Sequence, residues 1–377
     1  MINADRFVAE LCGSGISFFT GVPDSLLKSF CAYVTDNCGE SHVIAANEGG
    51  AVALAAGHYL ATGEPALVYM QNSGQGNAVN PLASLADPDV YSIPMVLLVG
   101  WRGEPGVKDE PQHVKQGKVT IPLFETLGIP TEILPDDEAA ALDMTRRMVE
   151  KAKAESRPVA LVVRKGLFAE YKLQDKKPDI AELERERAIE EVLRSLPEEA
   201  VVVSTTGMIS REVYETRERM GQGHERDFLT VGSMGHALMI AVGIAKAQPG
   251  RKVYCLDGDG ASIMHLGNMA IAGQSGCGNL MHIVFNNAAH DSVGGQPTVG
   301  GDIDLVKIAA ACGYDVHSST GLENPLPLCV SALKTSTGNP SFVEIKVAKG
   351  ARKDLGRPKE PPQANKSLYM KTLGVCV

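Results

Sequence analysis

Two polar groups that follow apolar runs are the residues whose types and spacing point most directly to chemistry. Asp259 lies between Gly258 and Gly260, and 25 further residues precede Asn286 and Asn287. Carboxylate and amide oxygens suit Mg²⁺, which usually also binds phosphate oxygens and water. The glycines allow the backbone to approach an anion closely. The pattern predicts a magnesium-bridged diphosphate site, and the alternative is a plain glycine-rich turn.

The segments around these residues indicate how they are positioned. An apolar run at 253–256 precedes Asp259, a helix-compatible segment follows at 261–272, and a second apolar run occupies 281–285. This order of strand, turn, helix and strand predicts a βαβ unit with a parallel strand pair. Because ligands bind beyond the carboxyl ends of parallel strands, Asp259 and Asn287 are expected at the same edge of a sheet.

Strand and helix patterns alternate along the rest of the chain. Predicted strands lie at 16–19, 43–45, 66–70, 93–99, 131–134, 159–163, 201–203, 228–230 and 342–347. Such alternation is typical of α/β domains with a doubly wound parallel sheet. The charged, proline-containing stretch 172–186 predicts a linker. We therefore expect a first domain at 1–171 and a second at 187–377.

The two halves resemble each other when the chain is shifted by 186 residues. The shift aligns Gly49 with Gly235, Ala55 with Ala241, Gly57 with Gly243, and Gly74 with Gly260. Small residues that pack helices could match by chance, but the register continues without a gap through helix, strand and turn. The repeat predicts two copies of one fold. Only the second copy carries the metal pattern, since Ser73 aligns with Asp259.

Composition and charge limit the class of protein. The 377 residues are 44% hydrophobic and carry a net charge of −9, which predicts a large core and no nucleic-acid partner. No run of 18 apolar residues occurs and the N-terminus lacks the pattern of a signal peptide, so no membrane partner is expected. The eight cysteines form no Cys-x-x-Cys pair, which argues against a zinc or redox motif. We expect a reduced, cytoplasmic enzyme.

The Gly-Asp-Gly turn and the Asn-Asn pair resemble the thiamine diphosphate fingerprint of the pyruvate decarboxylase and acetolactate synthase superfamily. The resemblance implies thiamine diphosphate and Mg²⁺ as cofactors, with the metal held by Asp259, Asn287 and the carbonyl of Ala289. The spacing is one residue longer than is common in the superfamily, which leaves Asn286 open as the ligand beside Asn287. The cofactor-binding residues predicted in this unit are Gly258, Asp259, Gly260, Ala261 and Asn287.

The superfamily also implies roles for residues near the two aligned helices. Its activating glutamate, which exchanges a proton with the aminopyrimidine, corresponds to Glu48. Residues 232–234 correspond to the segment that holds the cofactor: Gly232 accepts a hydrogen bond from the 4′-amino group, Ser233 follows it, and Met234 supports the bent cofactor. The alternatives are an acidic residue that favours the helix dipole for Glu48 and a core-filling methionine for Met234.

Substrate-facing groups are expected in the first half. Asp24 follows a Gly-Val-Pro turn and is a candidate catalytic residue, with helix N-capping as the alternative. The polar loop 100–117 contains His113, which could transfer a proton or simply be exposed. The basic residues of this loop could bind an anionic substrate, and an arginine would do so best because it can donate two hydrogen bonds at once. The alternative is that they are solvated surface charges. The predicted substrate contacts are Ser25, Gln71, Asn72, Arg102, Lys108, Gln112 and Lys115.

Taken together, FFTGVPDSLLK, NEGGAVALAAGHYLATG, GWRGEPGVKDEPQHVKQG, STTGMISRE and the GDG–NN unit resemble the phosphonopyruvate decarboxylases, and also the sulfopyruvate decarboxylases, over nearly the whole chain. The resemblance implies a pyrimidine-binding domain and a diphosphate-binding domain with no middle domain. It implies decarboxylation of 3-phosphonopyruvate, a small anionic 2-keto acid, to phosphonoacetaldehyde and CO₂ in phosphonate biosynthesis. It also implies a homo-oligomer, at least a dimer, with active sites where chains meet.

Three alternatives stay open. The substrate could be sulfopyruvate or another 2-keto acid within the same cofactor class. The chain could instead be a non-catalytic, regulatory thiamine diphosphate-binding protein, although the combination of Glu48, Asp259 and Asn287 argues against that. The polar, basic tail at 349–368 could be a loose terminus or a segment that closes over the substrate.

Overall fold

The computed structural model describes residues 1–318 and 338–375. It divides into two compact units, one of Met1–Lys176 with Ser292–Gln296 and one of Lys177–Asp291 with Pro297–Val377. The division falls within the stretch 172–186, whose limits as a linker stay a prediction. Among the described helices, none has the length and apolar character that crossing a bilayer would require.

The first unit is built on a six-stranded parallel sheet. Its strands are β1 Phe19–Gly21, β2 His42–Ile44, β3 Ala66–Gln71, β4 Met95–Gly100, β5 Thr131–Ile133 and β6 Pro158–Val163. They lie in the order β2-β1-β3-β4-β6-β5. Helices connect them: α1 Ala4–Gly13, α2 Lys28–Asn37, α3 Glu48–Thr62, α4 Gln75–Ser84, α5 Pro111–Thr126 and α6 Glu138–Glu155.

The second unit has a sheet of the same kind. Its strands are β7 Val201–Ser204, β8 Asp227–Leu229, β9 Val253–Gly258, β10 Leu280–Asn286, β13 Asp315–Ser318 and β14 Ser341–Lys346, while β11 Ala289–His290 and β12 Gln296–Pro297 form a separate two-stranded pair. The helices are α7 Arg185–Ser195, α8 Met208–Arg219, α9 Ala237–Ala247, α10 Asp259–Met264, α11 Gly267–Gly273, α12 Leu305–Cys312 and α13 Pro362–Thr372.

The strand order of the two sheets is the same. The second sheet runs β8-β7-β9-β10-β14-β13, which matches the first strand for strand. Strands β3 and β9 correspond under the shift of 186 residues, since each follows the aligned helix α3 or α9 and precedes the aligned turn. The predicted α/β fold with two similar doubly wound parallel sheets is therefore confirmed.

Each sheet is covered on both faces, because successive residues of a strand point to opposite sides. In strand β4, Val96 and Leu98 belong to one core cluster of the first unit, whereas Leu97 and Val99 belong to the other. The second unit likewise has two clusters, one on each face of its sheet. Each sheet therefore separates two apolar layers of its unit.

Helix boundaries follow from local capping. The Asn47 side chain accepts a hydrogen bond from the Gly50 N–H and begins helix α3, which ends at Gly63 in the left-handed conformation (φ 76°). This is a common combination of N-cap and C-cap. The position of Glu48 at the first turn of α3 is thus fixed by its neighbour in the sequence.

Three of the predicted elements are wrong in detail. The strand expected at 16–19 lies at Phe19–Gly21. The helix expected at 261–272 is two short helices, since His265 interrupts it with a non-helical backbone (φ −130°, ψ 53°). The loop expected at 100–117 is shorter than predicted, because helix α5 begins at Pro111. Proline is favoured in the first turn of a helix, where the N–H that it lacks would have no partner within the helix.

The C-terminal tail is part of the second unit rather than a loose end. Helix α13 contributes Tyr369 to the core. The Asn365 side chain accepts a hydrogen bond from the Leu229 N–H (3.2 Å) and donates one to the Asp227 carbonyl (2.8 Å). The tail thereby holds the edge strand β8. The Asp227 carboxylate also forms a buried pair with the Arg217 guanidinium at 3.0 and 2.9 Å.

Replacing Arg217 with Met should destabilise the protein by about 3–5 kcal/mol, because the Asp227 carboxylate would remain buried without its partner. The measurement is the urea midpoint of the full-length chain. Arg194→Met, at an arginine that is 59% exposed, should cost less than about 1 kcal/mol. Equal losses of unfolding free energy in the two variants would contradict a stabilising role for the buried Arg217–Asp227 pair.

Candidate active site

The Gly-Asp-Gly turn joins strand β9 to helix α10. Gly258 ends the strand and Asp259 begins the helix. A Cβ atom added to Gly260 would lie 3.3 Å from the His290 ring and 3.5 Å from the terminal methyl carbon of Met234. The Met234 side chain therefore lies against the turn. A residue that supports a ligand bound at the turn is expected in this position. Met234 is only half-buried, which does not favour its interpretation as a core-filling residue.

The Asp259 carboxylate is buried with only neutral donors near it. It accepts hydrogen bonds from the Thr298 hydroxyl and from the backbone N–H groups of Asn287 and Gly260. Burial raises the pKa of Asp259 to about 6, and these hydrogen bonds limit the increase. Within residues 1–318 and 338–375, Asp259 forms no ion pair. A buried carboxylate of this kind favours a bound cation.

The two asparagines after strand β10 have different surroundings. The Asn286 amide donates to the Gly300 carbonyl and to the Glu344 carboxylate, both at 2.7 Å. It therefore ties the strand ends together. The Asn287 amide oxygen accepts one bond, from the Ala289 N–H at 3.1 Å, and the Asn287 N–H reaches Asp259. The Asn286 amide oxygen accepts a hydrogen bond from the Ala288 N–H at 3.0 Å in the same way, so hydrogen bonding leaves both asparagines open as the metal ligand.

These residues fit a magnesium-bound diphosphate. The donor set consists of a carboxylate, an amide oxygen and a carbonyl, all hard oxygen ligands. Gly300 packs closely on this set, because a Cβ atom there would lie 2.6 Å from the Asp259 carboxylate. The sequence pattern did not identify Gly300 or Thr298, since both follow the motif by many residues.

The segment that holds Met234 has an unusual backbone. Gly232, Ser233 and Gly235 all have positive φ, of 72°, 48° and 82°. The Gly232 N–H donates to the Thr206 hydroxyl at 3.1 Å, which links this segment to the end of strand β7. A left-handed serine costs energy and is common at functional sites. The backbone therefore supports a ligand-binding role for residues 232–234.

In the first unit, Glu48 is buried at the start of helix α3. Its carboxylate accepts a hydrogen bond from the Asn77 amide at 2.7 Å, and burial raises its pKa. Gly74 leaves the space for this side chain, since a Cβ atom at residue 74 would lie 2.1 Å from a Glu48 oxygen. Among the described residues Glu48 has no ion pair. A buried acid with a raised pKa holds a proton more readily than an exposed one, which suits a group that exchanges protons.

Asp24 is fully buried in a turn before helix α2. Its carboxylate accepts a hydrogen bond from the Leu26 N–H at 3.0 Å, whereas the N-cap position of the helix is Leu27. The N-capping alternative is therefore wrong. Burial raises the pKa of Asp24 to about 6, against the effects of the Leu26 N–H and of Arg102. A Cβ atom at Gly100 would lie 2.0 Å from the carboxylate.

The Arg102 guanidinium is already engaged within the chain. It binds the Asp109 carboxylate through two bonds of 2.8 and 2.5 Å and donates to the Ser25 hydroxyl at 2.9 Å. The Asn72 amide donates to the Arg102 carbonyl and to the Thr120 hydroxyl. Arg102 and Asn72 therefore hold the 100–110 loop in place. Asp109 was not predicted from the sequence, because an acid in a charged loop has no distinctive spacing.

The other predicted residues lie on helix α5, in the loop before it and at the end of strand β3. Gln112, His113 and Lys115 lie in the first two turns of helix α5 instead of in a loop. His113 is buried, and its pKa is lowered by burial and by the Arg102 charge, which contradicts its interpretation as an exposed histidine. Lys108 and Lys115 are exposed, and the Gln71 amide donates to Ser73 at 2.7 Å.

Both halves of the chain match known protein families. Residues 2–121 match the family model of the thiamine pyrophosphate enzyme N-terminal TPP binding domain, and residues 205–345 match that of the C-terminal TPP binding domain. The chain is 36% identical to the phosphonopyruvate decarboxylases of Streptomyces viridochromogenes and Streptomyces hygroscopicus, covering 96% of this chain and 92% of each relative. It is 34% identical to sulfopyruvate decarboxylase subunit beta of Methanocaldococcus jannaschii, over 36% of this chain and 69% of that subunit.

Replacing Asp24 with Asn should stabilise the cofactor-free protein in a pH-dependent way. The folded-state pKa of about 6 exceeds the ordinary 3.8, so this carboxyl favours folding below pH 4 and loses that contribution as the pH rises through 6. The difference corresponds to about 3 kcal/mol. We expect Asp24→Asn to exceed the wild type by up to that amount at pH 8 and by nothing below about pH 4, in urea unfolding.

The control for this measurement is Asp89→Asn, at an exposed aspartate of the same unit. Its stability relative to the wild type should not change with pH. An Asp24→Asn advantage that is the same at pH 4 and pH 8 would contradict the explanation by burial.

Proposed function

The chain belongs to the phosphonopyruvate decarboxylase family of thiamine diphosphate enzymes, and we propose that it converts 3-phosphonopyruvate to phosphonoacetaldehyde and CO₂. The observation that carries the proposal is the similarity to the two Streptomyces decarboxylases over 96% of the chain. The buried acids Glu48 and Asp259 support it, because both positions call for a ligand that supplies positive charge or a proton.

Thiamine diphosphate, when bound, supplies the carbon nucleophile and the electron acceptor for the loss of CO₂. The residues that would hold it are the backbone of 258–261 for the diphosphate, and Asp259, Asn287 and the Ala289 carbonyl for Mg²⁺. Residues 232–234 would contact the aminopyrimidine, with Met234 against the ring system. The positive φ values of this segment and its position against Gly260 support that role.

Glu48 would hold a proton for the N1′ atom of the aminopyrimidine. Its raised pKa supports this role, because a carboxyl that is easily protonated can donate to and accept from a ring nitrogen. The Asn77 amide orients the carboxylate through its 2.7 Å bond. Asn77 is thus a positioning residue in the proposed site.

Asp24 and His113 are the proposed proton-transfer residues on the substrate side. The pKa of Asp24, about 6, suits a group that gives up and regains a proton near neutral pH. Burial and the Arg102 charge lower the pKa of His113, which favours the neutral form of its ring. Ser25, Gln71, Lys108, Gln112 and Lys115 stay proposed substrate contacts, whereas Arg102 and Asn72 are assigned to shaping the loop.

The proposed assembly is a homo-oligomer, at least a dimer, with active sites formed between chains, in the cytoplasm. The six described cysteines are free thiols, which is consistent with a reducing compartment. Sulfopyruvate decarboxylation is the second candidate function, since a third of the chain is similar to a subunit of that enzyme. A non-catalytic regulatory role is disfavoured by the retained buried acids.

CO₂ release should depend on both thiamine diphosphate and Mg²⁺, with kcat/KM for 3-phosphonopyruvate above that for sulfopyruvate. For pyruvate, which lacks the second anionic group, kcat/KM should be at least about 100-fold lower. The measurement is a coupled CO₂ assay with each substrate, with and without each cofactor. Preferential turnover of sulfopyruvate would select the second candidate, and no turnover of any substrate by the cofactor-loaded protein would refute both.

Glu48→Gln should lower the rate of CO₂ release by about 10²- to 10⁴-fold, because the variant cannot exchange the proton. Its thiamine diphosphate affinity, measured by calorimetry, should stay within a few-fold of the wild type. The matched control is Glu132→Gln, at an exposed glutamate of strand β5, which should retain full activity. Undiminished turnover by Glu48→Gln would remove this residue from the mechanism.

A further inference from the structure

A cavity of about 320 Å³ lies in the second unit between helix α8 and the segment 350–355. Its lining includes Met208 and Arg211 from the first turns of the helix, Arg352 and Lys353 from the segment, and Asp291. Cavities of this size accept small molecules. None of the predicted cofactor or substrate residues lines it, so its role is not accounted for by the site described above.

The cavity contains positive charge that the protein does not neutralise. Arg211 is half-buried, and within residues 1–318 and 338–375 it forms no ion pair and no hydrogen bond. Burial lowers the pKa of Arg211, with no opposing acid. Lys353 is exposed at the rim and is likewise unpaired in the described part of the chain. A half-buried guanidinium without a partner in the described part of the chain is available to bind an anionic ligand.

The acidic group in the lining does not offset this charge. The Asp291 carboxylate binds the Arg185 guanidinium at 3.0 Å and accepts a hydrogen bond from the Gly350 N–H at 2.9 Å. Arg185 in turn pairs with Glu212. Asp291 is therefore committed to a buried network, and its hydrogen bonds go to Arg185, Gly350 and Asn287 rather than to Arg211 or Lys353.

The wall opposite helix α8 is fixed by ion pairs. Arg352 binds Glu186 at 3.0 Å and also binds Glu215 and Asp354. The Gly356 N–H donates to Glu215 at 2.6 Å. Arg352 is thus occupied in shaping the wall, and Arg211 is the guanidinium that remains available.

The cavity is adjacent to the proposed metal site through one shared residue. The Asp291 carboxylate that lines the cavity accepts a 2.6 Å hydrogen bond from the Asn287 amide. A group bound in the cavity therefore lies one side chain from a proposed Mg²⁺ ligand. This position suits the distant end of a small substrate whose reacting end meets the cofactor.

We propose that this cavity binds the phosphonate group of the substrate, with the Arg211 guanidinium donating two hydrogen bonds to its oxygens and Lys353 adding charge at the rim. The guanidinium geometry matches tetrahedral oxyanions of this class. Arg102, the basic residue favoured by sequence, has its N–H groups directed to Asp109 and Ser25. The identity of the ligand rests on the proposed function, whereas the anion site rests on the cavity and its unpaired charge.

The test uses the protein loaded with thiamine diphosphate and Mg²⁺. Methylphosphonate binding is followed by ³¹P NMR, and KM and kcat are measured with 3-phosphonopyruvate. Arg211→Ala should weaken methylphosphonate binding and raise KM by roughly 10- to 100-fold, the effect of losing a charge-assisted interaction. Arg211→Lys should recover part of the affinity. Arg187→Ala, at an arginine that is 73% exposed on helix α7, should match the wild type, and kcat should change little in all variants.

Cofactor affinity distinguishes a substrate-binding role of Arg211 from a contact between Arg211 and the cofactor diphosphate. Thiamine diphosphate should bind Arg211→Ala as tightly as the wild type. A weaker cofactor affinity would mean that Arg211 contacts the diphosphate, and unchanged methylphosphonate binding would mean that the cavity is no anion site, so either result overturns the proposal. If methylphosphonate binding depends on Arg211 but CO₂ release from 3-phosphonopyruvate is absent, the anion site stands and the proposed function fails.

Discussion

Desolvation of acidic side chains is the constraint that organises both units. Glu48 and Asp259 are buried among neutral hydrogen-bond donors, and Asp24 is buried where the Arg102 charge offsets only part of the effect of burial on its pKa. Each carboxylate would be more stable in water than in this position. The strands, turns and helix starts that hold them must therefore be stabilised by packing elsewhere, in the apolar clusters on the two faces of each sheet. A bound cation or a proton donor would compensate the buried negative charge of these carboxylates.

The duplicated fold shows how one backbone serves two kinds of chemistry. Under the shift of 186 residues Glu48 corresponds to Met234, and Ser73 corresponds to Asp259. Both pairs lie at the same places in sheets of identical strand order. One copy thus presents an acid at the helix start and a neutral turn, and the other presents an apolar side chain and an acidic turn. The fold supplies positions, and the side chains decide what each position does.

The sequence predicted the features that depend on neighbouring residues. The βαβ unit and the repeated order of helix, strand and turn were accessible because their patterns are local, whereas the Asn47 cap that begins helix α3 was not predicted. Contacts between distant segments could not be predicted from the sequence. Asp109 takes the hydrogen bonds of Arg102 across a loop whose spacing has no pattern, and α13 forms because Tyr369 reaches a core that the tail sequence does not reveal. Helix α5 was missed because polar residues in its first turns resembled a loop.

The ion pairs that hold the segment 350–355 should make the stability of this segment depend on ionic strength. Arg352 and its partners Glu186 and Glu215 are partly exposed, at 33%, 19% and 24%. Dissolved ions screen charges beyond about 8 Å at physiological salt, and more strongly above it. One wall of the cavity is therefore held by interactions that weaken as salt is added, whereas the buried Arg185–Glu212 pair is not. Concentrated buffers, including those made from phosphate, would act on this part of the molecule before they affected the core.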